Sequence, residues 1–237
     1  MQLSAYAYTN RGGRDHNEDS LRASAEQGIF VLADGLGGHR CGEVASQAAV
    51  DAIFTGMAQA EALEEASLLD LFRSANEELL RRQAQPGQEE MRTTAVALKL
   101  AGSTAVWAHI GDSRLYRFSN GELAGVTADH SVTYRKFLGG EISYMDVYHD
   151  DDRSSLLRAM GNPVCTPEGG EGPARPGDAF LLCSDGFWEF VYNEEMLVDC
   201  LKSKTPEEWA RRMLLRHIRR TPPGNDNFSL IAVFVEE

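Results

Sequence analysis

No run of 18 apolar residues occurs anywhere in these 237 residues, so no stretch is long enough to cross a bilayer as a helix. Lysine is scarce, with 4 against 19 arginines, and 36 acids outnumber the 23 basic residues, leaving a formal net charge of −13. A surface of that sign argues against nucleic acid as the main partner, because phosphate backbones select positive surfaces. It would also repel a phosphorylated substrate, unless cations bound at the site reverse the sign locally. The four cysteines, Cys41, Cys165, Cys183 and Cys200, are far apart and include no C-x-x-C pair, so reduced thiols and a cytoplasmic setting are expected. The start, Met1-Gln-Leu-Ser-Ala-Tyr, has neither a basic patch nor an apolar core, so no signal peptide is expected. Repeats, low-complexity tracts and linkers are missing too, and residues 1–237 read as one domain large enough to bury most of its apolar surface.

What is present is a dense succession of short elements. Alternation predicts strands at 2–9 and 227–235, and compact apolar runs predict strands at 28–34, 93–100, 104–110, 113–119, 122–127 and 178–185. Asn120-Gly121 is a hairpin turn signal. Helical spacing covers 42–58 and 63–83. Thr205-Pro-Glu-Glu opens a helix that runs to about residue 220, with Thr205 as cap, Pro206 in the first turn and Glu208 completing a capping box. A glycine-rich loop is expected from Gly35 to His39. Residues 131–161 are the least regular part and predict a short helix, a mobile insertion and a helical turn at 156–160. Two blocks of helices separated by hairpin-type strands argue for an α+β layered sandwich over a doubly wound parallel sheet.

Four aspartates, Asp34, Asp112, Asp185 and Asp226, each stand where an apolar run meets a polar turn. Strand ends are rigid, so carboxylates there can converge, and converging carboxylates repel unless a hard divalent cation lies between them. Arg14, Asn17, Glu18 and Asp19 add two more acids and a guanidinium suited to an anion. Asp-Gly is a common turn dipeptide, so Asp34-Gly35 or Asp185-Gly186 alone would be punctuation. Arg14 alone would be a surface ion pair with Asp15 or Glu18. Together the residues read as a metal site that holds a phosphate.

The ordered set of segments resembles the bacterial type 2C metal-dependent protein serine/threonine phosphatases, the PPM family. It comprises Arg14-Asp-His-Asn-Glu-Asp-Ser20, Ala33-Asp-Gly-Leu-Gly-Gly38 with Gly42-Glu43, His109-Ile-Gly-Asp-Ser-Arg114, Thr127-Ala-Asp-His-Ser131, Leu157-Arg-Ala-Met-Gly161, Cys183-Ser-Asp-Gly186 and Asn225-Asp-Asn227. The resemblance implies a four-layer αββα sandwich of two antiparallel sheets packed face to face and flanked by helices. It implies that Asp34 bridges two Mn2+ or Mg2+ ions, that Asp185 and Asp226 complete one, and that the Gly35 carbonyl and Glu18 serve the other. Asp112, with Asp185, is similar to the pair holding a third, weaker ion, and Asp19 supports the ligands from behind. Arg14 is the phosphate-binding guanidinium and residues 131–161 correspond to the family's flap.

The implied chemistry is hydrolysis of phosphoserine and phosphothreonine in proteins by a water that two cations acidify. No covalent phospho-enzyme is expected and the cysteines take no part. Some relatives carry a histidine directly after the Asp-Gly; Leu36 stands there, His39 is not assigned the role, and a metal-bound water is expected to protonate the leaving group. Of the other histidines, His109 is read as a core strand residue, His130 as ordering the turn before Ser131, His217 as lying on a helix, and His16 as near the cleft. The partners implied are phosphoproteins, a serine/threonine kinase that the enzyme opposes, and the kinase itself; a monomer is expected. A pseudophosphatase would lack one of the metal acids, and a calcium-binding protein of the EF-hand kind would show that loop's spacing; neither condition is met.

Overall fold

A computed structural model describes residues 2–36, 41–60 and 63–236. Two five-strand antiparallel arrays carry the fold. One contains β1 (Leu3–Asn10), β7 (Arg114–Ser119), β8 (Glu122–Val126), β10 (Ala179–Cys183) and β11 (Phe228–Val235), in the order β1-β11-β10-β7-β8. The other contains β2 (Asp19–Ser24), β3 (Ile29–Leu36), β5 (Ala95–Ala101), β6 (Thr104–Ile110) and β9 (Glu168–Pro173), in the order β2-β3-β5-β6-β9, with the two-residue β4 (Arg92–Thr93) added to β3.

The apolar runs are continuous because both faces of the central strands are covered. In β3, Phe30 and Leu32 point between the sheets and meet Phe180, Leu182, Ile231 and Val233. Their neighbours Ile29, Val31 and Ala33 point the other way, against α1 (Gly42–Gln59) and α2 (Glu65–Gln83). The opposite sheet does the same, laying Leu181, Cys183, Leu230 and Ala232 against Trp209 and Met213 of α6 (Pro206–Arg220). Helix, sheet, sheet, helix is therefore the layer order, as expected. The remaining helices are α3 (Val132–Leu138), a 3-10 turn at Tyr144–Tyr148, the single-turn α4 (Asp185–Trp188) and α5 (Asn193–Leu201). None is long and apolar enough to cross a membrane among the described residues.

Most expected elements form with ends within a few residues, and Asn120 and Gly121 both take positive φ in the β7–β8 turn. Several details differ. Residues 156–160 do not make a helical turn; they are held extended by bridges from Leu156 to Ser131 and from Met160 to Thr93. Gly35 is not in a loop but inside β3, paired with Thr93 of β4. His39 and residues 37–40 of the expected glycine loop lie outside the described residues. Thr205 caps α6, but the Glu208 carboxylate accepts the Lys204 N–H, one residue before the expected one. β2, β9, α4 and α5 carry no strong signal in the sequence.

Candidate metal centre

The sheet register builds the cluster. Asp19 of β2 stands directly opposite Asp34 of β3, two residues from that strand's end. The backbone of Asp34 is clamped by a threonine pair: Thr94 Oγ1 accepts its N–H at 3.0 Å, while its carbonyl accepts from Thr93 Oγ1 and the Thr94 N–H, each at 2.8 Å. The Asp34 carboxyl lies within hydrogen-bonding reach of Asp185, which opens α4. Both lie deep among protein atoms yet keep part of their surface open to the cleft. Asp112, in the β6–β7 turn, is buried. Its carbonyl accepts from Trp188 Nε1 at 2.9 Å, and the next residue, Ser113, shares a 2.7 Å hydroxyl contact with Thr94.

Behind these acids, Asp19 is 6 % exposed. One of its carboxylate oxygens accepts from Ser184 Oγ at 2.9 Å and Ser229 Oγ at 2.6 Å; the other is buried without any hydrogen-bond partner. Asn227 ties the N-terminal loop to this platform, donating to the carbonyls of Arg11 and His16 and accepting the Glu18 N–H at 2.8 Å. Arg14, on the loop so held, reaches Asp226 at 2.8 Å; both are about half exposed at the rim. The ion pair that Arg14 makes is thus with Asp226 rather than with Asp15 or Glu18. Two glycines permit this convergence. A Cβ on Gly35 would lie 2.2 Å from the Gly42 carbonyl oxygen, and one on Gly186 would lie 2.0 Å from that of Asn227, so no side chain fits at either place.

Electrostatics mark the cluster as incomplete. Burial, then the charges of its neighbours, raises Asp34 and Asp112 well above the carboxylate range and raises Asp185 in the same direction. Burial pushes Asp19 up to about 7, against the opposing pull of its two serine hydroxyls. Glu18 is raised as well, by burial and then by Asp226 and Glu43. Deep carboxylates of one sign are unfavourable unless protonated or matched by a cation. Arg14, at the rim, pairs with Asp226 and leaves the deeper acids Asp34 and Asp185 without a cationic partner of their own. Among the described residues no three acids, imidazoles or thiols form a closed cage. The donor set nevertheless fits a hard divalent ion: it is all oxygen, clustered, short of positive charge, and backed by an orphaned carboxylate oxygen.

Several supporting residues carried no recognisable sequence signal. Thr93, Thr94, Ser113, Ser184, Ser229 and Asn227 are small polar residues of a kind found in any loop, and only the register reveals what they hold. Arg114 and Asp129 form a buried bidentate pair at 2.8 and 2.6 Å, with the guanidinium 3.4 Å from the Trp188 ring centre. His130 does order its turn: Nδ1 accepts the Gly111 N–H at 3.1 Å, its ring stacks on buried His109, and burial lowers it to about 4. His217, on α6, contacts the Gly186 carbonyl at 2.8 Å and so braces the Asp185 turn. His16 is exposed, and what it gives the site is its backbone carbonyl.

Residues 9–214 match the sequence profile described as Protein phosphatase 2C. The chain is 34% identical over 237 residues to the serine/threonine phosphatase stp of Listeria monocytogenes, covering 95% of this chain and 93% of that protein. It is 33% identical over 228 residues to the serine/threonine protein phosphatase PstP of Mycobacterium tuberculosis, covering 95% of this chain but 44% of that one, so it spans less than half of the mycobacterial relative's length. The crystal structure of that mycobacterial phosphatase superposes with a TM-score of 0.90 at 33% identity over all of both chains. A structure of the PstP catalytic domain in complex with two manganese ions does so with a TM-score of 0.88 at 32% identity, covering 99% of each chain. With the strand order, the acid cluster and a match reaching from β1 into α6 all agreeing, the chain belongs to the protein phosphatase 2C family.

Proposed function

We propose that this protein is a metal-dependent protein phosphatase that hydrolyses phosphoserine and phosphothreonine esters. The observation that carries the reading is the cluster of Asp19, Asp34, Asp112 and Asp185, crowded together without a matching cation beside a guanidinium at the rim. Asp34 would bridge two Mn2+ or Mg2+ ions, Asp185 and Asp226 would complete one, the Gly35 carbonyl and Glu18 the other, and Asp112 with Asp185 a third, weaker one. Bound there, the ions supply the positive charge that acidifies an attacking water and offsets the phosphate oxygens.

The protein's own groups do the rest. Arg14 grips the phosphate through its planar fork and sets the ester in line. Asp19 keeps Asp34 and Ser184 in register from behind and touches no substrate. Thr93 and Thr94 fix the Asp34 backbone, so its carboxylate does not have to be ordered when substrate arrives. Leu36 offers no proton, so the leaving oxygen takes one from solvent in the cleft. Residues 131–161 act as a flap beside it. The substrates would be phosphoproteins made by a serine/threonine kinase, the kinase included. The four free cysteines suit a reducing compartment, and the chain would act as a monomeric single catalytic domain in the cytoplasm.

The test is hydrolysis of an aryl phosphate and of a phosphothreonine peptide with Mn2+, before and after EDTA. Turnover of both that stops with EDTA and returns with Mn2+ is expected; turnover that survives EDTA removes the mechanism.

A further inference from the structure

α2 buries Leu68, Phe72, Ala75 and Leu79 in the core against the β3 sheet, and among them stands an amide, Asn76, 3 % exposed. A buried amide on an apolar helix face is costly unless both of its ends are bonded. Here both are: Oδ1 accepts the Gly161 N–H at 2.6 Å and Nδ2 donates to the Asn162 carbonyl at 3.0 Å. Gln83, two turns further along α2, donates from Nε2 to the carbonyls of Gly161 at 2.7 Å and Met91 at 2.8 Å. Gly161 has a φ of +87°, and a Cβ there would lie 2.1 Å from the Met91 carbonyl oxygen, so the chain passes these amides only without a side chain.

The segment so gripped leads to the acid cluster. Met160, fully buried, exchanges backbone hydrogen bonds with Thr93 at 2.9 and 3.2 Å. Thr93, equally buried, donates from Oγ1 to the Asp34 carbonyl at 2.8 Å. Met91, the other residue that Gln83 holds, stands immediately before β4. The two amides therefore hold both sides of the Met160–Thr93 bridge. The other buried side chains of α2 are apolar, so its packing alone does not call for an amide. Neither amide bonds a carboxylate, yet both bear on the backbone that fixes Asp34.

We propose that Asn76 and Gln83 are positioning residues for the metal centre, acting on Asp34 through the Met160–Thr93 bridge. This role rests on the phosphatase reading, in which Asp34 bridges the ions, and adds the distant groups that hold it ready. A loosened bridge frees Thr93 Oγ1 from the Asp34 carbonyl, and the carboxylate must then be ordered when an ion binds. That cost falls on metal affinity, while the ester is still gripped at Arg14.

The experiment measures Mn2+ binding by calorimetry on the whole chain, with thermal melts in EDTA and aryl phosphate turnover across a Mn2+ series. Asn76→Ala should raise the Kd for Mn2+ about tenfold and the gentler Gln83→Met about threefold, with kcat at saturating Mn2+ within about threefold of wild type and KM for the ester unchanged. Leu68→Ala opens a cavity under the same helix, about 12 Å along its axis from Asn76. It should lower the melting temperature and leave the Kd alone. Thr93→Val breaks the last link, and adding Asn76→Ala to it should weaken Mn2+ no further, because residues acting through one link are not additive. Gln83→Met, at a half-buried position, carries the same test should Asn76→Ala not fold. A Kd unmoved by the amide variants, moved as much by Leu68→Ala, or weakened additively in the double variant overturns the relay and leaves a packing role. Wild type that binds Mn2+ without turning over the ester overturns the phosphatase reading alone, and wild type that binds none overturns the metal centre and this role together.

Discussion

Asp112 and Arg114 are two residues apart at one end of β7, and they stand in opposite electrostatic situations. Arg114 is buried with a bidentate carboxylate, a tyrosine hydroxyl and the face of Trp188 around it. Asp112 is buried beside Asp34 and Asp185, with like charge on its side of the turn. The first charge is matched within the protein and so belongs to the architecture. The second has burial and like charges acting on it and no ion-pair partner of its own, and strained acids of this kind gather at functional sites. Trp188 joins the two, stacking on the guanidinium while its indole N–H fixes the Asp112 carbonyl.

Removing a charge should therefore have opposite consequences on the two sides. Asp34→Asn keeps shape and deletes one unmatched acid. Turnover should fall at least about a thousandfold, since a group acting on the reacting centre is lost. Without divalent ions the variant should melt no lower than wild type, because like-charge repulsion is relieved. Steady-state assays and thermal melts in EDTA check the pair of outcomes; retained turnover, or a clear loss of stability, breaks the contrast.

On the matched side, Arg114→Met strands Asp129 in the interior and should destabilise by about 3–5 kcal/mol, read by urea unfolding. Adding Asp129→Leu should recover much of that loss, because a buried pair can be exchanged for apolar packing more cheaply than it can be halved. If the single variant unfolds like wild type, the pair is not holding the turn that carries Asp112.

Proton and metal linkage sharpens the same distinction. Asp19 is held at about 7 against an ordinary value near 4, and Asp34, Asp112 and Asp185 move the same way. A carboxyl with a raised folded pKa stabilises the fold fully below its unfolded value and loses that contribution as pH rises through the folded one. In EDTA, stability should therefore decline between about pH 4 and pH 7. Saturating Mn2+ replaces those protons, so the stabilisation it gives should grow across the same window. It should reach about 2.7 kcal/mol at a hundred times Kd near neutrality. Melts at pH 5, 6, 7 and 8 with and without Mn2+ measure this; a pH-independent metal effect would place the ions elsewhere.

The contrast also explains what could be read without coordinates. β3, β5, β10 and β11 announce themselves because burial on both faces writes an apolar run into the sequence. β2 and β9 are edge strands: Asp19–Ser24 is polar, and Glu168–Pro173 is half glycine because the Trp107 ring occupies the space a Cβ on Gly170 would need. Their strand character comes from the neighbour, not from their own residues. Residues 156–160 looked helical locally and are held extended by two bridges from distant strands. The acids were legible because carboxylates at strand ends are unusual. Thr94, Ser184, Ser229 and Asn227 were not, because a hydroxyl or amide means little until the register aims it at Asp34, Asp19 or Glu18.

Arg14 is where the matched and unmatched regions meet, and its removal should have the smallest effect. It is half exposed and pairs with Asp226, an acid that the proposed ions also use. An exposed pair of this kind contributes little to stability, so Arg14→Ala should melt close to wild type. For phosphate the same guanidinium offers a charge-assisted bidentate grip, and its loss should raise KM for an aryl phosphate by about tenfold while kcat changes much less. Arg14→Lys should recover only part of the KM, since an ammonium keeps the charge but not the fork. A fall in kcat with KM unchanged would instead put Arg14 in the transition state alone, and unchanged kinetics would make it an ordinary rim ion pair with Asp226.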